Sequence, residues 1–326
     1  MTTTDTNCLQ QAGGDGWQLY NADCVPILRA MPASSVHHAC FSPPYMSLYV
    51  YSASPRDIGN CADDREFWSH FSLVIPELFR IMKPGRIVAV DCMTVPMMKE
   101  RDGVIGLKDF RGDLIRAFVD AGFVFHSEHC AWKDPLLEAT RTKTLGLMHK
   151  QLCKDSSMCR AGLPQYLLAF RKPGVNEEPI AHPDGLDVFA GLNPPRDGNL
   201  SHERWRRYAS PIWMDIDFTR TLNVAIAREN EDEKHLCPMS LDMIERAMWL
   251  WSAPGEVVLS PFAGIGSEGF VARNMGRRFV GIELKPSYFK QAAANIDAAG
   301  RQTDLFPTGG ASDVASEEIF ETAETA

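Results

Sequence analysis

A hydroxyl, two prolines and an aromatic ring follow the first strongly apolar stretch of this chain. The run 36–41 (VHHACF) leads into Ser42, Pro43, Pro44 and Tyr45. The prolines fix their φ angles and offer no backbone N–H, so a hydroxyl and backbone carbonyls are held at a stiffened corner beside a ring. Rigid hydrogen-bond acceptors are what electrostatic catalysis requires, but such a corner is also an ordinary way to end a strand. The tetrapeptide alone leaves both interpretations open.

A second segment, near the other end of the sequence, has the residues of a nucleoside pocket. Residues 257–284 resemble a strand, a turn of small residues, a helix and a second strand. Gly264, Gly266 and Gly269 satisfy the spacing G-x-G-x-x-G, and Glu283 lies 19 residues after the first glycine. Glycines permit close backbone approach, and a carboxylate can accept hydrogen bonds from a ribose diol. By itself this fits dinucleotide binding, binding of another nucleotide, or a tight turn.

The elements that position these segments alternate between strands and helices, which indicates an α/β fold with helices on both faces of a sheet. Seven strands are predicted, at 17–23, 36–41, 86–91, 123–132, 166–171, 256–260 and 278–283. Helices are predicted between them, including 66–82, which stops at a Lys-Pro-Gly sequence, and 241–251, with Ser240 as its cap.

The order of the two segments constrains the fold. Only about 20 residues with a helical pattern, 285–302, follow Glu283 before an acidic tail. These are too few to supply the rest of a nucleotide-binding half, so strands from the N-terminal part must complete the sheet. The prediction is a single, mostly parallel, seven-stranded Rossmann-like sheet in circularly permuted order, with the Ser-Pro-Pro-Tyr corner first and the glycine loop last.

In this combination the sequence resembles the S-adenosylmethionine-dependent DNA amino-methyltransferases of the permuted, or beta, group, over nearly the whole span 17–295. The motifs that carry the resemblance are SPPY (42–45, the catalytic motif), SPFAGIGSEG (260–269, the cofactor loop), GIE (281–283, the ribose-binding strand end), KHLCP (234–238, beside the methionine moiety) and YNADC (20–24, at the adenine amino group). The full pattern, including GLPQYLLAFRKPG (162–174), resembles solitary prophage-type members.

The resemblance implies the residues of the site. The catalytic residues would be Ser42, Pro43, Pro44 and Tyr45, and the cofactor S-adenosyl-L-methionine would contact Asp23, His235, Pro238, Ser260, Pro261, Phe262, Ala263, Gly264, Gly266 and Glu283. Ser260 departs from the family, which often has Asp there. A hydroxyl or a water would then replace an acidic contact to the cofactor.

The resemblance also implies the reaction, a methyl transfer to the exocyclic amino group of a base flipped out of duplex DNA. That nitrogen is a poor nucleophile because its lone pair is delocalised into the ring. Ser42 Oγ and the Pro43 carbonyl would accept its hydrogens and direct the lone pair at the methyl group, while Tyr45 stacks on the base. Serine in the first catalytic position is commoner in N4-cytosine enzymes, whereas the likeness to prophage-type members favours N6-adenine.

The predicted domains are a catalytic half (15–172), a small target-recognition insert (173–234), a cofactor-binding half (235–300) and an acidic, disordered tail (301–326). The net charge is −9, but residues 132–172 carry eight Lys and Arg against three Asp and Glu. Double-stranded DNA is the expected partner of this basic stretch and of the insert. The predicted DNA contacts, mostly to phosphates, are Arg141, Lys143, Lys150, Arg204, Arg206 and Arg207.

Composition excludes several other classes. Without an apolar run of 18 residues or a secretory N-terminus, the chain is expected to be cytoplasmic and to use no membrane. The nine cysteines include no C-x-x-C pair, which favours reduced thiols. The strand histidines, such as His37, lack carboxylates at ligand spacing, so no metal is expected. Beta-group relatives are often dimers, so a homodimer is possible, and no nuclease or helicase region is found.

Two other functions stay open on the sequence. A nicotinamide-dependent dehydrogenase would explain the glycine loop and Glu283, but it leaves 42–45 unexplained and lacks strands after residue 284. A non-catalytic DNA-binding regulator would explain the basic stretch and the insert. It would bind DNA equally well after Ser42→Ala, with no methyl transfer in either form.

Overall fold

The computed structural model describes residues 8–45, 57–97, 99–182, 199–223 and 238–304. The strands are β1 (Gln10–Gly14), β2 (Trp17–Asn21), β3 (Val36–Phe41), β4 (Met82–Met93), β5 (Val95–Met97), β6 (Gly106–Lys108), β7 (Val124–Ala131), β8 (Gln165–Arg171), β9 (Ile212–Trp213), β10 (Val257–Ser260) and β11 (Arg278–Glu283). The α-helices are α1 (Cys24–Ala30), α2 (Asp64–Phe71), α3 (Val74–Ile81), α4 (Lys99–Asp102), α5 (Phe110–Asp120), α6 (Pro135–Thr142), α7 (His149–Lys154), α8 (Asn199–Ala209), α9 (Leu241–Trp251), α10 (Ser267–Asn274) and α11 (Pro286–Asp304).

The main sheet has nine strands within the described residues, in the order β1-β2-β11-β10-β3-β4-β8-β7-β9. The five central strands from β2 to β4 run parallel, whereas β1, β8 and β7 join by antiparallel pairing. The prediction of seven strands is therefore corrected to nine in a mixed sheet. All seven predicted segments are strands, and the two additional ones lie at the edges. Neither edge strand has a sequence signal, because β1 is polar (QQAGG) and β9 has two residues.

Strands from the two ends of the chain are interleaved in this sheet. β10 pairs in parallel with β3, with Val258 opposite His38, and β11 pairs in parallel with β2. This confirms that N-terminal strands complete the sheet around the glycine-loop strands. Because β3 and β10 are parallel neighbours, the Ser-Pro-Pro-Tyr corner and the glycine loop both follow the carboxyl ends of the parallel strands, on the same side of the sheet.

Each face of the sheet is covered by its own hydrophobic core. On one face, α2, α3 and α5 contribute side chains such as Phe71, Leu78 and Phe118. On the other, α9 and α11 contribute side chains such as Ile244 and Ile296. Helices on both faces were predicted, and the two cores confirm that layering.

The predicted helix 66–82 is wrong as a single element, since it is divided into α2 and α3 at residues 72 and 73. The reason is Pro76, which has no N–H to donate to the carbonyl four residues earlier, at Ser72. The second helix ends at Ile81, and Met82 already belongs to β4. The apolar period continued across the break, so the pattern alone joined the two pieces.

The predicted helix 241–251 is confirmed, but Ser240 does not cap it with its side chain. Ser240 occupies the N-cap position, and its hydroxyl donates to the Asp217 carbonyl at 2.8 Å. The hydroxyl therefore ties α9 to the described part of the predicted insert. That part also contributes β9 to the main sheet, and Trp213 of β9 is buried in the core.

The helix after β11 extends slightly farther than predicted, to Asp304, so the first residues of the predicted tail are helical. Residues 305–326 of that tail lie outside the described residues, as do 183–198 and 224–234 of the predicted insert. No α-helix within the described residues has the length and apolar character needed to cross a membrane. The eight described cysteines are free thiols, and four of them are buried.

Candidate active site

The Ser-Pro-Pro-Tyr corner lies directly after β3, at the edge where the parallel strands end. Ser42 Oγ lies 3.3 Å from the backbone carbonyl oxygen of Asp91 in β4 and 3.3 Å from Tyr45 Oη. A carbonyl oxygen can only accept, so a Ser42 proton directed at it leaves the Ser42 lone pairs for another donor. Pro43 is buried, while Ser42, Pro44 and Tyr45 are half-buried. The corner therefore offers a partly accessible acceptor on a rigid backbone.

A chain of polar side chains supports this corner from neighbouring strands. Gln165 Nε2 donates to Tyr45 Oη at 3.3 Å and to Asp91 Oδ2 at 2.8 Å. Lys133 Nζ, just past β7, donates to Gln165 Oε1. The Tyr45 ring packs against Phe110, with the ring centroids 5.9 Å apart. Gln165 and Phe110 thus contact Tyr45 directly, while Asp91 and Lys133 hold Gln165 in place.

Asp91 is a buried carboxyl group next to the corner. Its side chain is 2% exposed, and burial raises its pKa to about 7, against the hydrogen bond from Gln165 and the charge of Lys133. It therefore changes ionisation state close to neutral pH. Sequence reasoning did not nominate Asp91, Gln165 or Lys133, although an acidic residue closing the predicted strand 86–91 was an available signal.

The glycine loop after β10 needs its glycines for different reasons. Gly264 and Gly266 have φ angles of +53° and +84°, which other residues rarely adopt. A Cβ at Gly266 would lie 3.0 Å from the Ala292 Cα of α11, and one at Gly269 would lie 2.7 Å from the Phe279 ring. At Gly264, in contrast, a Cβ would meet nothing within 4 Å. Gly264 is therefore on the open side of the loop, where a ligand can approach the backbone.

Glu283 closes this loop from the end of β11. Its Oε2 accepts from the Gly264 N–H and its Oε1 from the Lys285 N–H, both at 2.8 Å. Burial raises the pKa of this carboxyl group to about 7, although both backbone N–H groups oppose the shift. Each carboxylate oxygen keeps a further lone pair. The carboxylate is thus held in place and can still accept hydrogen bonds from a diol.

These residues fit a nucleoside ligand. Ser260 is buried, and its Oγ has no hydrogen-bond partner among the described residues. An orphaned hydroxyl beside an open glycine backbone and an anchored carboxylate suits a polar, hydroxyl-bearing group. Ser260 stands where the family often has Asp, so an unpaired hydroxyl lies in place of the acidic group expected there. Phe262 packs between Phe41 and Phe71, with ring centroids 5.7 and 6.2 Å away, and so supports the loop from the core.

Three further predicted cofactor contacts, Asp23, His235 and Pro238, lie outside the glycine loop. Asp23 follows β2, which ends at Asn21 instead of residue 23, and its Oδ1 accepts from the Val25 N–H at 2.9 Å as the N-cap of α1. One carboxylate oxygen thereby has a local structural role. Pro238 is half-buried just before α9. His235 lies outside the described residues, so its predicted contact stays a prediction.

The predicted DNA contacts lie on or beside three helices. Arg141 and Lys143 are exposed at the end of α6, and Lys150 is exposed on α7. Arg204, Arg206 and Arg207 belong to α8. Arg207 donates from Nε to Asp215 Oδ2 at 3.0 Å, and Arg246 pairs with the same carboxylate oxygen at 2.8 Å. Two guanidinium groups thus share one carboxylate and a net positive charge remains, so the phosphate contact of Arg207 stays a prediction.

A separate polar cluster lies at the opposite end of β3. His37 Nε2 is 3.1 Å from Glu178 Oε2, and ligand atoms of His37, Glu178 and Glu256 lie within 4.8 Å of one another. No carboxylate lies at ligand spacing from His37 in the sequence, but chain folding brings two to it from distant positions. Lys83 Nζ contacts Glu178 Oε1 at 2.7 Å and Arg86 pairs with Glu256. Both carboxylates are therefore already neutralised in an ion-pair network.

The fold and this site define a DNA methylase. A family model described as DNA methylase, N6_N4_Mtase, matches residues 36–294, and the chain belongs to that family. The chain is 33% identical to the type II methyltransferase M.BglII of Bacillus subtilis over 296 residues, which cover 89% of this chain and 71% of that protein. It is also 33% identical to the DNA adenine methyltransferase YhdJ of Escherichia coli K12 over 107 residues, 33% of this chain and 32% of YhdJ.

Solved structures share the fold at lower sequence identity. TTHA0409 of Thermus thermophilus, in complex with S-adenosyl-L-methionine, superposes with a TM-score of 0.61 at 24% identity, covering 85% of this chain and 91% of that one. The PvuII DNA methyltransferase, which is cytosine-N4-specific, superposes with a TM-score of 0.60 at 16% identity, covering 98% and 95%. These likenesses establish the methyltransferase fold of the chain.

Proposed function

We propose that this protein transfers a methyl group from S-adenosyl-L-methionine to the exocyclic amino group of a base flipped out of duplex DNA, with N6 of adenine as the target. One observation carries the proposal. The acceptor corner at Ser42 and the glycine loop before Glu283 follow adjacent parallel strands, β3 and β10, so a base at one and a nucleoside cofactor at the other would meet.

The cofactor supplies the activated methyl group, and Glu283, Ser260 and the backbone at Gly264 are the residues that would hold it. Glu283 accepts from the ribose diol with the lone pairs that its two backbone donors leave unused. Ser260 Oγ gains the partner that it lacks among the described residues. The binding of S-adenosyl-L-methionine by TTHA0409, which shares the fold, supports this choice of cofactor.

The corner activates the nitrogen. Ser42 Oγ and the Pro43 carbonyl accept the two amino hydrogens, which shifts the nitrogen lone pair away from the ring and toward the methyl group. As the N–C bond forms, the sulfur–methyl bond breaks with its electron pair left on sulfur, so S-adenosyl-L-homocysteine leaves, and one amino proton passes to solvent water. Because β3, two prolines and the Asp91 carbonyl hold these acceptors, little reorganisation is needed when charge develops. Tyr45 stacks on the extruded base and offsets part of the unstacking cost of a few kcal/mol.

The choice of adenine rests on sequence relatives. YhdJ is named an adenine methyltransferase and is 33% identical over the matched third of the chain. The second candidate is N4 of cytosine, favoured by serine in the first catalytic position. Both bases present an exocyclic amino group to the same two acceptors, so the corner chemistry is identical for the two targets.

We also assign the chain to the permuted, beta-group order, in which the catalytic corner precedes the cofactor loop. The interleaving of β10 and β11 between β2 and β3 supports this order. The described part of the insert, with α8, and the basic helices α6 and α7 would contact DNA phosphates, which predicts binding that weakens as salt rises.

The test is a nucleoside analysis. The protein is incubated with unmethylated genomic DNA and S-adenosyl-L-methionine, and the digested DNA is analysed by mass spectrometry. N6-methyldeoxyadenosine is expected, formed about 100-fold or more slowly with Ser42→Ala and at the wild-type rate with the matched control Ser69→Ala, an exposed serine of α2. N4-methyldeoxycytidine would keep the mechanism and change the base. DNA binding without any methylated nucleoside would favour the regulator.

A further inference from the structure

We propose that Gln165, oriented by Lys133, is a positioning residue for the methyl transfer because it fixes the Tyr45 hydroxyl and with it the ring that receives the base. The inference rests on the proposed function and extends it to two residues outside the Ser-Pro-Pro-Tyr corner. Neither residue touches the reacting atoms.

The sheet places Gln165 at the site. Gln165 begins β8, which runs antiparallel to both of its neighbours, and pairs with Met93 of β4 on one side and Ala131 of β7 on the other. Because β8 runs in the opposite direction, its first residue lies beside the last residues of β4 and β7. Gln165 is therefore at the same edge as the corner, and with 8% of its surface exposed its amide must be paired inside the protein.

Its partners permit one orientation of the amide. Lys133 can only donate, so Gln165 Oε1 must face it, and Nε2 then points at Asp91 Oδ2 (2.8 Å) and Tyr45 Oη (3.3 Å). The two hydrogens of Nε2 thus match two acceptors. A flipped amide would put its NH₂ group against the ammonium, which opposes it at all times, and its oxygen against Asp91 Oδ2, which opposes it when that carboxyl group is ionised.

This orientation restrains Tyr45. The Tyr45 oxygen is held between Gln165 Nε2 and Ser42 Oγ, each 3.3 Å away, while its ring rests against Phe110. A change in χ1 displaces the oxygen and breaks both hydrogen bonds, whereas rotation about χ2 leaves the oxygen in place and is opposed by the contact with Phe110. The hydrogen bonds therefore set the position of the ring, and Phe110 its plane, before the base arrives, which is the condition for a near-attack geometry.

Lys133 also connects the corner to the insert. Its ammonium group lies 4.7 Å from the centroid of the Phe218 ring, which belongs to the described part of the insert. A residue that contacts both the insert and Gln165 can make the position of Tyr45 depend on how the insert is seated. Lys133 thereby connects the predicted target-recognition insert to the corner through its contacts with Phe218 and Gln165.

A purely structural role predicts something different. If Gln165 only pairs the buried Asp91 carboxyl group, its loss should lower the free energy of unfolding, and its effect on kcat should multiply with that of Tyr45→Phe. A positioning role predicts a fall in kcat with cofactor affinity unchanged, and an effect that disappears once the Tyr45 hydroxyl is absent.

The experiment is a double-mutant cycle of Gln165→Leu and Tyr45→Phe, with kcat measured on DNA and cofactor Kd measured by calorimetry. Each single variant should lower kcat by about tenfold, the rate equivalent of one hydrogen bond, with Kd within about twofold of wild type. The double variant should be no slower than either single one. Multiplying effects, or a rise in Kd equal to the fall in kcat, would overturn the inference.

A second readout does not depend on activity or on a stable Gln165 variant. The Gln165 side-chain amide resonances should shift in Tyr45→Phe and in Lys133→Met and stay in place in the control Tyr20→Phe of β2. Unshifted resonances would also overturn the inference. Failure of the proposed function is distinct, because the wild-type protein would then methylate no DNA, and the positioning role would fail with it.

Discussion

The glycine loop and the Ser-Pro-Pro-Tyr corner follow adjacent parallel strands, yet they are constructed differently. The loop owes its shape to backbone conformation, with Gly264 and Gly266 at positive φ and a main-chain N–H bound to Glu283. The corner owes its shape to side chains that arrive from other strands, among them Gln165 and Lys133. A site made of backbone should fail in binding when altered, whereas a site made of side chains should fail in rate.

The largest expected effect is on the loop. Gly266→Val combines a φ of +84° with a Cβ only 3.0 Å from the Ala292 Cα, so α11 must move away from the loop. We expect cofactor binding to be lost in calorimetric titration and the urea midpoint to fall. Gly255→Ala is the matched control, because its φ of +80° is similar but nothing lies within 4 Å of the added Cβ. It should cost about 1 kcal/mol of unfolding free energy and leave Kd unchanged.

The next largest effect is on the corner. Ser42→Ala removes one of the two acceptors and should lower kcat about 100-fold or more, as loss of a preorganised group does. The cofactor Kd should stay within about twofold, since Ser42 contacts Tyr45 and Asp91 and not the loop. A Ser42→Ala protein that loses cofactor affinity would contradict the division between the two regions.

A smaller effect is expected from pH. Burial raises the pKa of Glu283 to about 7, and the ionised form is the better acceptor for a diol. The carboxylate therefore loses its charge as the pH falls through about 7, and cofactor affinity should weaken by up to about tenfold per unit below that. Glu283→Gln should bind more weakly and show a flat profile between pH 6 and about 8 in the same titration. An equal slope in both proteins would assign the titration to another group.

The smallest effect is expected at Ser260. Its buried hydroxyl has no partner among the described residues, so Ser260→Ala should leave the unfolding free energy within about 1 kcal/mol of wild type or raise it. Cofactor affinity should fall by about threefold to tenfold if the hydroxyl receives a bond from the ligand, the worth of one hydrogen bond. Unchanged affinity would place the hydroxyl outside the cofactor pocket.

The backbone-built region was largely predictable from the sequence. Glycine spacing reports backbone conformation directly, and the acidic residue after β11 lies at the distance that a strand, loop and helix impose. The division between α2 and α3 was recoverable from Pro76 by the same backbone logic.

The side-chain network was not predictable in the same way. Gln165 and Lys133 meet Asp91 only because β8 is antiparallel between β4 and β7, and strand pairing is not encoded in local periodicity. The same limit applies to His37, whose carboxylate neighbours are supplied by residues 178 and 256. Contacts that depend on which strands become neighbours require the fold itself.

The interleaved strands have a consequence for synthesis. In the finished protein the N–H of Val257 donates to His37, across a separation of 220 residues, and β10 separates β3 from β11. A ribosome therefore completes the catalytic corner long before the strand that must lie beside it exists. Until that strand emerges, β2 and β3 each have an open edge, so the nascent chain depends on late, non-local pairing and should fold slowly. The arrangement also means that a chain interrupted in translation carries the corner without the glycine loop.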